Sequence, residues 1–412
     1  MPPVTSESRD LIAIEDRYGA NNYDPLDVVI ERGEGVWVWD VQGRRYLDAL
    51  AAYSAVNQGH AHPRILATLQ EQAHRVTLTS RAFRNDQLGP FCRELAELCS
   101  SDAVLPMNTG AEAIETALKA ARRWGYRDKG IPHDRAQIVV VENNFHGRTT
   151  TIIGFSSDEA YRADFGPFTP GFVSIPYGDL GALRQAIGPN TCAFLVEPIQ
   201  AEAGVIVPPD GYLAGAAAHC RERNVLFIAD EVQTGLGRTG AMFACDHEGV
   251  KPDLYVLGKA LSGGYYPVSA VVGRRDVIEL FEPGSHGSTY GGNPLACAVA
   301  RTALSVIVDE RLSERAAKLG PPFIEQLRRI ESPLIREVRG RGLLVGIELT
   351  VAARPLCEAL ARRGVLCKDT HDDTLRLTPP LVIDEATLCW LGDQVEAVLM
   401  SEAAAARQTS LR

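Results

Sequence analysis

Two hydrophobic rhythms divide the chain. Across residues 27–50 apolar and polar positions alternate, with turn residues at Gly33, Gly35, Gln42 and Gly43. That alternation predicts an antiparallel meander with one face in water. From about residue 63 the rhythm changes to helical stripes separated by short, unbroken apolar runs. Helices are predicted at 63–76, 85–100, 110–126, 211–223 and 293–309, and strands at 103–107, 137–141, 192–196, 225–229, 253–257 and 268–272. A run such as 225–229 (VLFIA), apolar at every position, belongs inside a parallel sheet covered on both faces. After a helical region near 311–330, the segments 336–349, 355–364, 374–378 and 384–400 alternate strand and helix again. A short helix is expected at 8–18, and the alanine-rich tail after Glu402 is expected to fray.

The pattern predicts an α/β chain. A large domain, residues 51–310, would hold a mostly parallel central sheet flanked by helices, and a smaller α+β domain would be assembled from residues 1–50 and 311–412. A hydrophobic content of 45% is ample for a large core. The net charge of -10 and a pI near 5.5 argue against a nucleic-acid or anionic-membrane partner. No apolar run is long enough to span a bilayer, and the opening MPPVTSESRD resembles neither a secretory leader nor a transit peptide. A soluble cytoplasmic protein is expected. Nine cysteines, scattered and without a C-x-x-C pair, point to reduced thiols. His60 and His62 have no second ligand cluster, so no metal is expected.

The chemistry gathers where predicted strands end. The run 225–229 stops at Asp230 and Glu231, and the run 253–257 delivers Gly258 and Lys259 into a small-residue turn. Ligands of open α/β sheets lie at such strand ends. Of the six lysines, only Lys259 leaves a buried strand directly into such a loop. Desolvation there would lower its pKa and let the amine condense with a carbonyl, while Asp230 could pair with a protonated pyridine nitrogen. The plainer reading makes Lys259 a surface lysine and Asp230 a helix cap. Residues 235–240 (GLGRTG) match G-x-G-x-x-G and would support a dinucleotide-binding dehydrogenase. That fingerprint, however, needs its first glycine immediately after the strand and a helix under its last.

Other strand ends add to the picture. Thr109, Gly110, Ala111 and Glu112 form a capping box whose free amides would make a phosphate seat at the positive end of a helix. In residues 143–148 (NNFHGR), Phe145 could stack on a planar ring and Arg148 could grip a carboxylate. Individually, Phe145 would be core and Arg148 a surface ion pair. Glu197 and Glu202 follow the strand 192–196, and Arg376 lies in a strand-like segment; a glutamate and an arginine converging there would pair. The glycine-bent loop 285–293 (SHGSTYGGN) offers a second phosphate contact.

These residues resemble the class III pyridoxal-phosphate aminotransferases of fold type I, over about residues 18–383. Residues 230–235 (DEVQTG) and 258–264 (GKALSGG) are specific to that superfamily. Residues 21–26 (NNYDPL), 52–60 (AYSAVNQGH) and 78–83 (LTSRAF) point to its ornithine branch, and 105–110 (LPMNTG) is also similar. The resemblance implies pyridoxal 5'-phosphate as cofactor, bound covalently by Lys259, with Asp230 at the pyridine nitrogen and Gln233 at the ring oxygen. Phe145 and Val232 would sandwich the ring. Gly110, Ala111 and a partner subunit's Thr289 would hold the phosphate, so a homodimer is implied.

The implied substrates are L-ornithine and 2-oxoglutarate. Tyr23 and Arg148 would bind the α-amino-acid end of ornithine, and Tyr53 is also placed on the substrate side. Glu202 would mask Arg376 until 2-oxoglutarate needs it. The alternatives are another ω-aminotransferase, acting on acetylornithine, 4-aminobutyrate or lysine, or an inactive cofactor-binding regulator. Tyr23 would discriminate, since 4-aminobutyrate lacks an α-amino-acid end. Two departures from the family pattern are Ala201, expected to stiffen the Glu202 loop, and His146, expected to alter the substrate channel.

Overall fold

The computed structural model describes residues 6–410, with the side chains of 7–404. The opening residues 1–5, part of the stretch read for a leader, lie outside the described residues. The strands are β1 (Ile30–Glu34), β2 (Trp37–Asp40), β3 (Arg45–Asp48), β4 (Ala103–Met107), β5 (Gln137–Val141), β6 (Phe172–Ile175), β7 (Thr191–Val196), β8 (Leu226–Asp230), β9 (Leu254–Leu257), β10 (Ser269–Gly273), β11 (Ile335–Arg341), β12 (Leu344–Leu349), β13 (Val365–Leu366), β14 (Lys368–Thr370) and β15 (Thr374–Leu377).

Seven of them form the central sheet in the order β4-β10-β9-β8-β7-β5-β6. All neighbours are parallel except β10, which runs antiparallel to both β4 and β9. The chain is therefore α/β with a mixed, mostly parallel sheet between helices. β7, β8 and β9 are buried at every position because both faces are covered. The helix Gly110–Arg127 packs Ile114, Ala117 and Ala121 against Leu195, Ile228 and Val256. On the opposite face, the helix Tyr212–Glu222 packs Leu213, Ala216 and Cys220 against Val196 and Phe227. Each large apolar side chain removed from water contributes about 1.5–3 kcal/mol. That burial fixes where the strands end, and so where Asp230 and Lys259 stand.

Two smaller sheets complete the chain. β1, β2 and β3 form the antiparallel meander, and β13 adds to its edge, parallel to β3, with Val365 opposite Leu47. The order β11-β12-β15-β14 makes an antiparallel sheet. The chain-wide rhythm did not reveal β6, because an edge strand with half-exposed residues lacks the unbroken apolar run. The tail expected to fray instead continues the helix Glu385–Ser410, since alanine is the strongest helix former. The glycines at 235–240 lie in turns after β8, followed only by the short 3-10 helix Ala244–Glu248, so no helix stands under Gly240 as a dinucleotide fingerprint requires. Among the described residues no helix is long and apolar enough to cross a membrane, and no cluster of three or more His, Cys, Asp or Glu could hold a metal.

Candidate active site

β8 and β9 lie side by side, with Asp230 opposite Val256, and their carboxyl ends open into one cavity of about 200 Å³. Its walls include Gly110, Ala111, Phe145, Glu197, Asp230, Val232, Gln233 and Lys259. Loops after five different strands thus meet there. Lys259 follows β9 with a φ of 43°, a left-handed conformation that costs of order 1 kcal/mol for a residue with a β-carbon. Its amine has no hydrogen-bond or ion-pair partner among the described residues. Removal from water pushes that amine below the ordinary 10.5, and the carboxylates of Glu202 and Asp230 offset this only in part.

Asp230 is held at both oxygens. Oδ1 accepts the Val232 N–H at 3.1 Å, and Oδ2 lies 2.6 Å from His146 Nδ1, both side chains being buried. His146 therefore stands behind Asp230. It also lines the cavity, and its contact with Asp230 is not visible in the sequence pattern because it depends on which way the loop after β5 turns. Its Nε2 is buried without a partner. Glu197, at the end of β7, accepts the Phe145 N–H at 2.9 Å and so ties that loop to the next strand. Burial pushes the Glu197 carboxyl well above its ordinary range, and the charge of Asp230 adds to the effect.

At the helix Gly110–Arg127, Thr109 Oγ1 accepts the Glu112 N–H, while the Glu112 carboxylate accepts the N–H groups of Asn108 and Thr109. The next amides, those of Gly110 and Ala111, have no acceptor among the described residues and open onto the cavity. A Cβ at Gly147, whose φ is 124°, would lie 2.9 Å from the Ala111 Cβ; its absence lets the Phe145 loop close over the helix end.

Arg376 rises from β15 almost wholly buried, and its Nη1 meets Glu202 Oε1 at 2.7 Å. Gln233 Nε2 donates to the same oxygen at 3.2 Å, and the guanidinium lies 4.8 Å from the centre of the Tyr53 ring. Burial alone would raise the Glu202 carboxyl, but the charges of Arg376 and Lys259 outweigh it and the net shift is downward. Ala201 is fully buried beside Ile199, Val205 and Leu344.

Six expected site residues are not in the cavity wall: Tyr53, Glu202 and Arg376, which cluster together, and three exposed ones. Arg148 is exposed, its guanidinium 3.7 Å from the Tyr161 ring centre and 5.5 Å from that of Phe145. Tyr23 is 76% exposed, and Thr289 is exposed in the loop before Asn293. Sequence reasoning missed Tyr161, which lies in a short helix, Glu159–Arg162, without a hydrophobic period to mark it. It also gave Glu197 no distinct part.

The groups present fit pyridoxal phosphate: two free N–H donors at a helix N-terminus for a phosphate, a partnerless amine, a carboxylate acceptor set back from it, and the side-chain amide of Gln233, whose acceptor Oε1 is buried without a partner.

Comparison with known proteins gives the same family. The profile of the family described as aminotransferase class-III matches residues 18–399. An ornithine aminotransferase of Geobacillus sp. (strain WCH70) is 59% identical over 393 residues, covering 95% of this chain and 99% of that protein. The solved ornithine aminotransferase from Toxoplasma gondii, with partial occupancy of PLP at its active site, is similar with a TM-score of 0.96. It is 48% identical, over 97% of this chain and 96% of that one. An acetylornithine aminotransferase from Elizabethkingia anophelis reaches a TM-score of 0.88 at 49% identity, over 96% of this chain and 99% of that one.

Proposed function

The chain belongs to the class-III aminotransferases, and from that membership we propose that it transfers the δ-amino group of L-ornithine to 2-oxoglutarate. The products are L-glutamate and L-glutamate 5-semialdehyde, which cyclises to pyrroline-5-carboxylate. The buried pair of Arg376 and Glu202 beside Lys259 carries this reading. A terminal amine and a dicarboxylate must use one site in turn, and a maskable arginine serves both. Size alone discriminates only about 1–3 kcal/mol per methylene.

Pyridoxal 5'-phosphate supplies an electron sink that holds the amino group between the two half-reactions. Lys259 Nζ would hold its aldehyde and would move a proton at the reacting carbon. Asp230 keeps the proton on the pyridine nitrogen, and Gln233 binds the ring oxygen. Phe145 and Val232 cover the ring faces, and the Gly110 and Ala111 amides bind the phosphate. Tyr23, Tyr53 and Arg148 orient the α-amino-acid end of ornithine, and Glu202 masks Arg376 until 2-oxoglutarate arrives.

A homodimer belongs to the same proposal, with Thr289 serving the partner's phosphate. It is supported by the exposure of Thr289 and by exposed aromatics, Tyr290 and Phe83 at 49% and 73%. Residues 51–310 act as the cofactor-binding domain, and residues 1–50 and 311–412 as the smaller one that carries Arg376. A cytoplasmic location fits the free, mostly buried thiols.

The deciding experiment compares ornithine, acetylornithine, lysine and 4-aminobutyrate as donors at steady state. Ornithine should lead, and its addition should bleach the absorbance of the holoenzyme near the visible edge. Bleaching by acetylornithine but not ornithine would move the substrate assignment. Bleaching by no amine would leave a regulator. Borohydride reduction should tag the Lys259 peptide; a tag elsewhere would overturn the cofactor assignment.

A further inference from the structure

The hairpin that carries Arg376 also grips the main chain of Glu202. β14 and β15 pair with Thr370 opposite Thr374 and Lys368 opposite Arg376. From this one hairpin, Arg376 reaches the Glu202 carboxylate and the buried Thr370 hydroxyl donates to the Glu202 carbonyl oxygen. The loop is fixed at further points. Gln200 and Ile206 exchange two backbone hydrogen bonds of 3.0 and 2.9 Å, and Arg339 Nε donates to the Gly204 carbonyl at 2.9 Å. Ala201 and Val205 are fully buried beside Leu344, and Val205 keeps a φ of 58° that a β-branched residue adopts only under constraint.

A loop held in this way cannot swing as a unit without leaving buried polar groups unpaired. Only the Glu202 side chain is free to turn. It is 21% exposed, and both of its side-chain donors, Arg376 and Gln233, meet the single oxygen Oε1. We infer that Thr370 is a specificity-determining positioning residue: by holding the Glu202 carbonyl it keeps the carboxylate over Arg376, and so sets how readily Arg376 accepts a dicarboxylate. This rests on the masking role proposed above. Because one hairpin supplies both grips, a carboxylate that turns away stays within reach and returns by rotation of its own side chain.

Thr370→Val keeps the shape and removes the donor. Glutarate, which lacks the keto group and does not react, is titrated calorimetrically into the holoenzyme, and kcat/KM is measured for ornithine and glutamate as donors. Glutarate should bind about threefold to tenfold tighter, the worth of one hydrogen bond, with a similar shift of the donor ratio toward glutamate. Thr370→Ser should restore both values. Where Thr370→Val loses cofactor, Thr370→Ala carries the same expectation. Glu202→Ala separates the two ideas. Tighter glutarate there, with no change in the Thr370 variants, overturns the inference alone; no tightening in Glu202→Ala overturns the masking role itself. A lowered Tm in Thr370→Val with unchanged glutarate affinity, or Thr370→Ser behaving as Thr370→Val, also overturns the inference.

Discussion

His146 Nδ1 and Asp230 Oδ2 stand 2.6 Å apart, both side chains removed from water, with the Val232 amide holding the other carboxylate oxygen. The aspartate is thereby locked in a single orientation. A hydrogen bond to a charged group is worth about 1.5–3 kcal/mol, so His146→Phe should weaken cofactor binding by about tenfold or more. Equilibrium dialysis of pyridoxal phosphate against the two proteins measures this. His146→Asn, which keeps a donor, should lose less.

Glu202→Ala should raise kcat/KM for glutamate relative to ornithine by about tenfold, because Arg376 loses its charge partner and is left to recruit a carboxylate from substrate. Steady-state kinetics with both donors check the ratio. An unchanged ratio removes Glu202 from substrate selection.

Glu197 gives the pH dependence a sign. Burial raises its carboxyl above the ordinary 4.5, so above that pH the folded chain retains a proton that the unfolded chain has released. Stability rises with pH only where the unfolded state binds more protons. Here the folded state binds more, so this group's contribution falls as pH rises from about 4.5 through the folded-state value. In the apoprotein, Glu197→Gln should flatten the decline of Tm across that window. A slope identical to that of the unsubstituted protein would count against a buried, protonated Glu197.

Burial raises the Tyr53 phenol above its ordinary range, and Tyr23, exposed in a single chain, adds to that push. Tyr23→Ile should raise KM for ornithine several-fold and improve 4-aminobutyrate as donor. Donor competition assays would show the change, and an unaltered preference would move discrimination elsewhere, Tyr53 being the next residue to substitute.

Much of this site is legible because apolar runs end abruptly. β8 and β9 are written as hydrophobic strings, and Asp230, which closes the first, and Lys259, just past the second, need no further geometry to be singled out. The capping box at Thr109 is equally local. What stays hidden depends on directions and distant pairings. The side chain of His146 faces Asp230 only because of how the loop after β5 folds back, which no local pattern encodes. Thr370 is separated from Glu202 by 168 positions, and a threonine at the end of a three-residue strand carries no signal of its own. β6 lacks a fully buried face and reads as loop.

The parallel pairing of β13 with β3 joins Val365 to Leu47. A nascent chain emerging from the ribosome would therefore display the meander with a bare hydrogen-bonding edge until nearly all of its length had been made. Open edges invite pairing with other chains, and late long-range closure slows folding. Production at high expression rates should accordingly be limited by aggregation of unfinished molecules, even where the completed fold is robust.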